Sequence, residues 1–195
     1  VVMLAITLLI RLWWVDFGLL AAIPAGLGSL HYVIQFCRPL WGHGSDRGSN
    51  RVPWIIGGMV VLAAGVLMAT QSTLMMGLPS FWIFAYAILA YTVIGVGDGA
   101  AGTSALALLA SSVAPDRRAA AAAVAWIMMI AGIVASAIPV GALIEPFSAQ
   151  ALTSVATGLA VVTIALTILA TFRLERGQLA FEQTAKSDEA PDFKA

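Results

Sequence analysis

Ionisable side chains are rare inside the apolar stretches of this chain, so the few found there are the first places to look for chemistry. His31, Gln35 and Arg38 follow Pro24 and Gly28 at spacings of three and four, which puts all five on one side of an α-helix. A neutral imidazole can ligate a metal, including the magnesium of a chlorin, provided its second ring nitrogen has a partner. A hydrogen bond to a Ser, a Thr or a backbone carbonyl of a neighbouring helix is the plainer use of His31. Asp98 stands in the run Gly95-Val96-Gly97-Asp98-Gly99-Ala100-Ala101-Gly102-Thr103. An isolated aspartate at the centre of a bilayer costs about 2.5–3.5 kcal/mol, so this one must be paired, protonated or facing water. It reads either as a proton or ligand site or as half of a buried pair with a basic residue. The glycines weaken a helix but let a backbone or a flat ligand come close, and Gly95 and Gly99 form a small-xxx-small pair.

Other chemistries find no support. The glycine run lacks the Lys and the preceding strand of a phosphate loop. With His31 and His43 as the two histidines, and no His-x-x-x-His or Glu-x-x-His pair, metal catalysis would need ligands from elsewhere. No Ser, His and acid set is brought together by spacing, so the chain reads as a non-enzyme. Ten acids balance ten bases, and nothing points to nucleic acid. The lone Cys37 permits no internal disulfide and reads as a small packing residue.

These residues have to be positioned by membrane helices. Apolar residues make up 61% of the chain and charged residues 10%, with a mean hydropathy of +0.95. Five stretches have the roughly 20 apolar residues that a spanning helix needs: Gly18 to Trp41, Pro53 to Met76, Phe81 to Ser111, Ala119 to Leu143 and Ala149 to Phe172. Val1 to Ile10 is too short and reads as the second half of a truncated first helix. These runs lack the period-two alternation of barrel strands, so the fold class is all-α, a polytopic membrane bundle of six helices.

Charge gives the orientation. Arg38, Arg47, Arg51, Arg117, Arg118, Arg173, Arg176, Lys186 and Lys194 lie on one side, after the second, fourth and sixth helices, and Arg11 lies on the other. The positive-inside rule makes the Arg-rich side cytoplasmic, with Trp13 and Trp14 as interfacial anchors opposite, near Asp16. The composition changes after Phe172. The reading is therefore a transmembrane unit over 1–172 and a weakly ordered cytoplasmic linker or tail over 173–195.

The segment from Gly42 to Arg51 reads as a glycine-permitted cytoplasmic turn leading to Pro53 in the first turn of the next helix. It resembles the loop signature of the major facilitator superfamily, Gly-x-x-x-Asp-Arg-x-Gly-x-Arg. Gly42, Asp46, Arg47 and Arg51 fall in register, and the second glycine is displaced to Gly48. In such proteins this loop brackets the cytoplasmic gate. Further on, Asp116 is a candidate N-cap for the fifth helix after Pro115, and the small residues Ala119 to Ala123, Gly132 and Ser136 favour close packing. Trp126, Met128 and Met129 beside them are candidates to face a bulky aromatic ligand, lipid or the core.

A narrower resemblance covers nearly the whole chain. Leu30-His31-Tyr32, the run Arg38-Pro39-Leu40-Trp41-Gly42, Gly44-Ser45-Asp46 and Arg51-Val52-Pro53-Trp54-Ile55 are similar to the bacteriochlorophyll-delivery branch of that superfamily, the PucC and LhaA group. So are Gly95-Val96-Gly97 leading to Thr103, Ala105-Leu106-Ala107-Leu108 and Ala114-Pro115-Asp116. The resemblance implies the amino-terminal six-helix half of a twelve-helix protein, with its first helix truncated. A carboxy-terminal six-helix half would be its partner.

It also implies an assembly factor for light-harvesting antennae in the inner or intracytoplasmic membrane of a photosynthetic bacterium. The expected partners are antenna polypeptides, pigment and the bilayer, and the expected cofactor is bacteriochlorophyll. His31, Gln35, Gly95, Asp98, Gly99 and Thr103 would form the pigment face, with His31 as the magnesium ligand. Two other classes stay open: a proton-coupled transporter using Asp98, His31 and Arg38, and a structural subunit of a photosynthetic complex.

Overall fold

The computed structural model describes residues 9, 22–47, 51–75, 81–145 and 147–188. Most of Val1 to Ile10, Arg11, Trp13, Trp14, Asp16, the Leu78 to Ser80 turn and the end of the tail lie outside them. So does Gly48. The chain is an all-α membrane bundle, with no strand among the described residues. In chain order the helices are α1 (Ala22–Ile34), α2 (Arg38–Arg47), α3 (Val52–Met75), α4 (Phe81–Ser112), α5 (Arg118–Ile144) and α6 (Ala149–Asp188). Short 3₁₀ turns, Gln35–Cys37 and Pro115–Arg117, join α1 to α2 and lead into α5. Four segments, Val52–Met75, Phe81–Ser112, Pro115–Ile144 and Ala149–Phe172, are long and apolar enough to cross a membrane, matching four of the five expected spans. This is a multi-pass membrane protein.

The fifth expected span is helical from Ala22 but changes pitch at Gln35. Pro39 explains the change. It has no N–H to give the Gln35 carbonyl, and its ring would crowd that carbonyl in a continuous α-helix. The Arg38 N–H bonds to the Gln35 carbonyl instead, closing a tighter 3₁₀ turn. Cys37 sits exposed in this turn, which corrects the expectation that it packs inside its helix. Beyond the turn, α2 continues to Arg47, so Gly42, Asp46 and Arg47 belong to a helix and not to the expected glycine-rich turn. Packing overrides the weak helix propensity of Gly42: a Cβ built there would stand 3.6 Å from the Thr103 side chain of α4.

The helix α4 occupies the centre, with α3 on one side and α1 and α2 on another, while α6 packs on α3. Its two glycine rows make this position possible. Gly97 faces α3, where an added Cβ would lie 2.4 Å from the Leu62 nitrogen, and Gly58 and Gly65 of α3 meet α4 as closely. Gly95 and Gly99 face α1 and α2, the contact pair expected from their spacing. Around the seam lies a core of Leu27, Leu62, Val66, Ala69, Ala90, Tyr91 and Ile94, joined by Val140 and Ile144 of α5 and Leu152 of α6. Much of α5 is uncovered, and its Trp126, Met128 and Met129 are exposed. Exposed apolar side chains cost nothing against lipid tails. The composition change after Phe172 does not end α6, which runs on as one helix to Asp188.

A polar cluster between α1, α2 and α4

The polar face read from the sequence is brought against Asp98. Gly28 is buried, His31 is 1% exposed, Gln35 is half-buried and Arg38 is 45% exposed, so the face opens progressively along the chain. Close approach is possible because Gly95 lacks a side chain where the His31 carbonyl and Ile34 press in, at 3.1 and 3.0 Å from a built Cβ. Gly99 leaves the same kind of room for Trp41, at 3.2 Å, and for the stem of Arg38.

Three groups converge on one oxygen of Asp98. The Gln35 amide nitrogen donates a short hydrogen bond to Oδ2. The same amide nitrogen lies 3.2 Å from Nε2 of His31. Arg38 Nη2 stands 3.9 Å from Oδ2, within ion-pair range but beyond a direct hydrogen bond, and His31 Nε2 lies at the same distance. The amide orientation follows from charge, since turning Oε1 toward the carboxylate would set two acceptors against each other. With the amide N–H directed at Nε2, that nitrogen accepts and the imidazole proton resides on Nδ1. Tyr32 lies edge-on to the ring, with centroids 4.9 Å apart. Of the alternatives for Asp98, pairing with a basic residue is therefore realised through Arg38, although loosely.

The cluster is not saturated. Buried polar atoms with no hydrogen-bond partner include Nδ1 of His31, Oε1 of Gln35, Nε1 of Trp41, and the hydroxyls of Thr103 and Ser104. Asp98 itself is 30% exposed, and no group among the described residues engages its Oδ1. One turn further along α4, a Cβ on Gly102 would meet nothing within 4 Å.

Of the residues expected at a pigment face, His31, Gln35, Asp98, Gly95 and Gly99 thus meet at one helix crossing. Thr103 lies one turn away, beside Gly42. Trp41 and Ser104 were not singled out by spacing. Trp41 falls one turn after Arg38 on the same helix face, a signal that spacing contains. Of the residues expected at a gate, Arg51 lies apart from this crossing. Arg51 donates from Nη1 to the Ala107 carbonyl and the Ser111 hydroxyl, both at 2.8 Å, and so ties the start of α3 to the last turns of α4. Asp46 and Arg47 lie at the end of α2, their side chains outside the described residues.

A hollow of about 340 Å³ lies between Trp41 of α2, Trp54, Gly57 and Val61 of α3, and Val96 and Ala100 of α4. Val96 and Ala100 are each two residues from Asp98, about 200° around the helix, so this cleft and the carboxylate do not share a face. No cluster of three metal-ligating side chains occurs among the described residues.

Comparison with known proteins follows the same lines. Residues 8–195 match the family model described as PUCC protein. The chain is 41% identical over 176 residues to the "Bacteriochlorophyll synthase 44.5 kDa chain" of Rhodobacter capsulatus, covering 90% of this chain and 41% of that protein. It is 26% identical over 189 residues to "Protein PucC" of Rhodobacter capsulatus, covering 89% of this chain and 41% of that one. With "Protein PucC" of Cereibacter sphaeroides it shares 25% identity over 183 residues, covering 90% and 39%. The chain thus spans about two fifths of the length of the relatives it matches. No solved structure matches significantly.

Proposed function

Because this chain belongs to the PUCC protein family, we propose that it serves the assembly of bacterial light-harvesting complexes, binding bacteriochlorophyll and delivering it to antenna polypeptides without catalysing a reaction. The observation that carries the reading is the unsaturated polar cluster at membrane depth around Asp98, facing an uncovered stretch of α4 at Gly102. An apolar protein does not keep a carboxylate, a guanidinium, an amide and an imidazole together inside a bilayer at no cost, and such residues mark functional sites. The relative named for bacteriochlorophyll synthase favours pigment as the ligand class.

The residues present fit a chlorin on two counts. Asp98 offers an oxygen without a partner among the described residues, and the bare Gly102 lets a flat ring lie close to the helix. When bound, the pigment supplies a planar apolar ring whose magnesium accepts one further ligand. Gln35 and Arg38 orient the carboxylate, His31 fixes the Gln35 amide, and Gly95 and Gly99 hold α4 close enough for these contacts. The membrane is the inner or intracytoplasmic membrane, with the Arg-rich segments on the cytoplasmic side. We read the bundle as a six-helix half of a major-facilitator-type fold that pairs with a carboxy-terminal half. Arg51, at the end of α4, together with Gly42, Asp46 and Arg47, brackets its cytoplasmic gate.

The test is purification in mild detergent from pigment-containing membranes. Bacteriochlorophyll and an antenna polypeptide are expected to copurify with the wild type, and pigment to be depleted in Asp98→Asn. Colourless protein that retains antenna polypeptide would reduce the role to protein contact alone. The second reading, a proton-coupled transporter, is favoured by the same pairing of Asp98 with Arg38. Proton uptake by proteoliposomes that disappears in Asp98→Asn, with no pigment bound, would put it first.

A further inference from the structure

The contacts of Asp98 are one-sided. Gln35 donates to Oδ2 and Arg38 stands 3.9 Å from it, while Oδ1 of the same carboxylate has no partner among the described residues. Hydrogen bonding on one oxygen and an open second oxygen is the arrangement of a carboxylate held ready to coordinate: outer groups orient the ligand, and the free lone pairs face the metal. We propose that Oδ1 of Asp98, and not the imidazole of His31, is the protein atom that would hold a ring-bound magnesium. The proposal rests on the pigment-binding reading above and names the atom that would do the binding.

Three observations support the choice. His31 is 1% exposed, its Nε2 is taken up by the Gln35 amide and its Nδ1 is buried, so neither ring nitrogen is presented to a macrocycle. Asp98 is 30% exposed. A ring centred above a ligand also needs small neighbours along the helix. The next residues on the Asp98 face are Gly102, with open space beside it, and the exposed Ala105. Magnesium is a hard cation that favours carboxylate oxygen over imidazole. The charge also balances. The magnesium of a chlorin is already neutralised by its ring, so the carboxylate keeps its negative charge on coordination, and Arg38 offsets it across 3.9 Å.

The experiment titrates the whole purified protein in detergent with bacteriochlorophyll and, separately, with its magnesium-free counterpart. Affinity is measured along with the absorption and resonance Raman bands that report magnesium coordination. Asp98→Ala is expected to raise the Kd for the magnesium pigment at least tenfold, and to leave the weaker binding of the metal-free ring within twofold. Gly102→Leu leaves the carboxylate in place and its Cβ meets no protein atom within 4 Å, so it tests the face apart from the ligand; it is expected to weaken both pigments at least tenfold. His31→Gln removes the imidazole but keeps an oxygen that can accept from the Gln35 amide, so it is expected to weaken binding less than tenfold and to retain the coordination bands. Circular dichroism and monodisperse elution establish that each variant folds. Coordination bands that survive Asp98→Ala and vanish in His31→Gln would overturn the assignment while leaving the pigment reading intact. Wild-type protein that binds neither pigment would overturn both.

Discussion

A single added methyl group at Gly97 should force α3 and α4 apart. The Cβ of Gly97→Ala would stand 2.4 Å from the Leu62 nitrogen and 2.7 Å from both the Gly58 carbonyl oxygen and the Leu62 Cα. All three are backbone atoms, so no rotamer change relieves the contact. The helices must separate by about 1 Å, a gap that forfeits a quarter to a half of the attraction between each facing pair of atoms. Overpacking costs about 1–3 kcal/mol, and the upper end applies where the obstacle is backbone. The gain of Ala over Gly in helix propensity returns about 1 kcal/mol, leaving a net loss of about 2 kcal/mol. Gly132→Ala on α5 is the control, since its Cβ meets nothing within 4 Å and only the propensity gain remains. Both are measured by tryptophan fluorescence during SDS titration of the micelle-bound protein. Equal stability of Gly97→Ala and wild type, or a loss in Gly132→Ala as large as that in Gly97→Ala, would refute the packing account of α4. The shift also bears on the site, because Asp98 is the next residue and would be carried away from Gln35.

The hydrogen bond between Gln35 and Asp98 should couple the two positions: single Leu variants are expected to lose about 1–3 kcal/mol each, and the double variant less than their sum, in the same titration. Additive losses would mean that the contact contributes nothing. Arg51→Ala should loosen the end of α4, raising amide hydrogen exchange over 107–112 with little change at 87–95, since Arg51 bonds the Ala107 carbonyl and the Ser111 hydroxyl there. Pro39→Ala restores a backbone donor beneath Gln35 and should slow exchange across 35–40, while turning Gln35 off Asp98 and weakening pigment retention. In a Cys37→Ala background, a cysteine at Asp116 should react with an impermeant thiol reagent from the cytoplasmic side only; labelling from the opposite side would invert the assigned topology.

Apolar run length alone was enough to establish an all-α membrane protein and to place four spans within a few residues, because a bilayer demands long apolar helices with internally satisfied backbones. The face of His31, Gln35 and Arg38 was equally legible, since helix periodicity puts residues three and four apart on one side. The Gly95 and Gly99 pair could be read for the same reason. Legibility ended where the outcome depended on a second helix. The continuation of α2 through Gly42 to Arg47 was misread as a turn, because the packing of this segment on α4, near Thr103, is not encoded locally.

The meeting of Asp98 with Gln35 could not be foreseen, as 63 residues separate them and nothing local encodes which face of α4 turns to which neighbour. Two glycine rows pointing in different directions settle that orientation. Gly97 allows only α3 beside it, Gly95 and Gly99 admit α1 and α2, and Asp98 is thereby turned so that one oxygen is held and the other has no partner among the described residues. Residue type and spacing say which groups can do chemistry and along which stripe. Close packing, through which backbones can touch and which cannot, decides the atoms that meet.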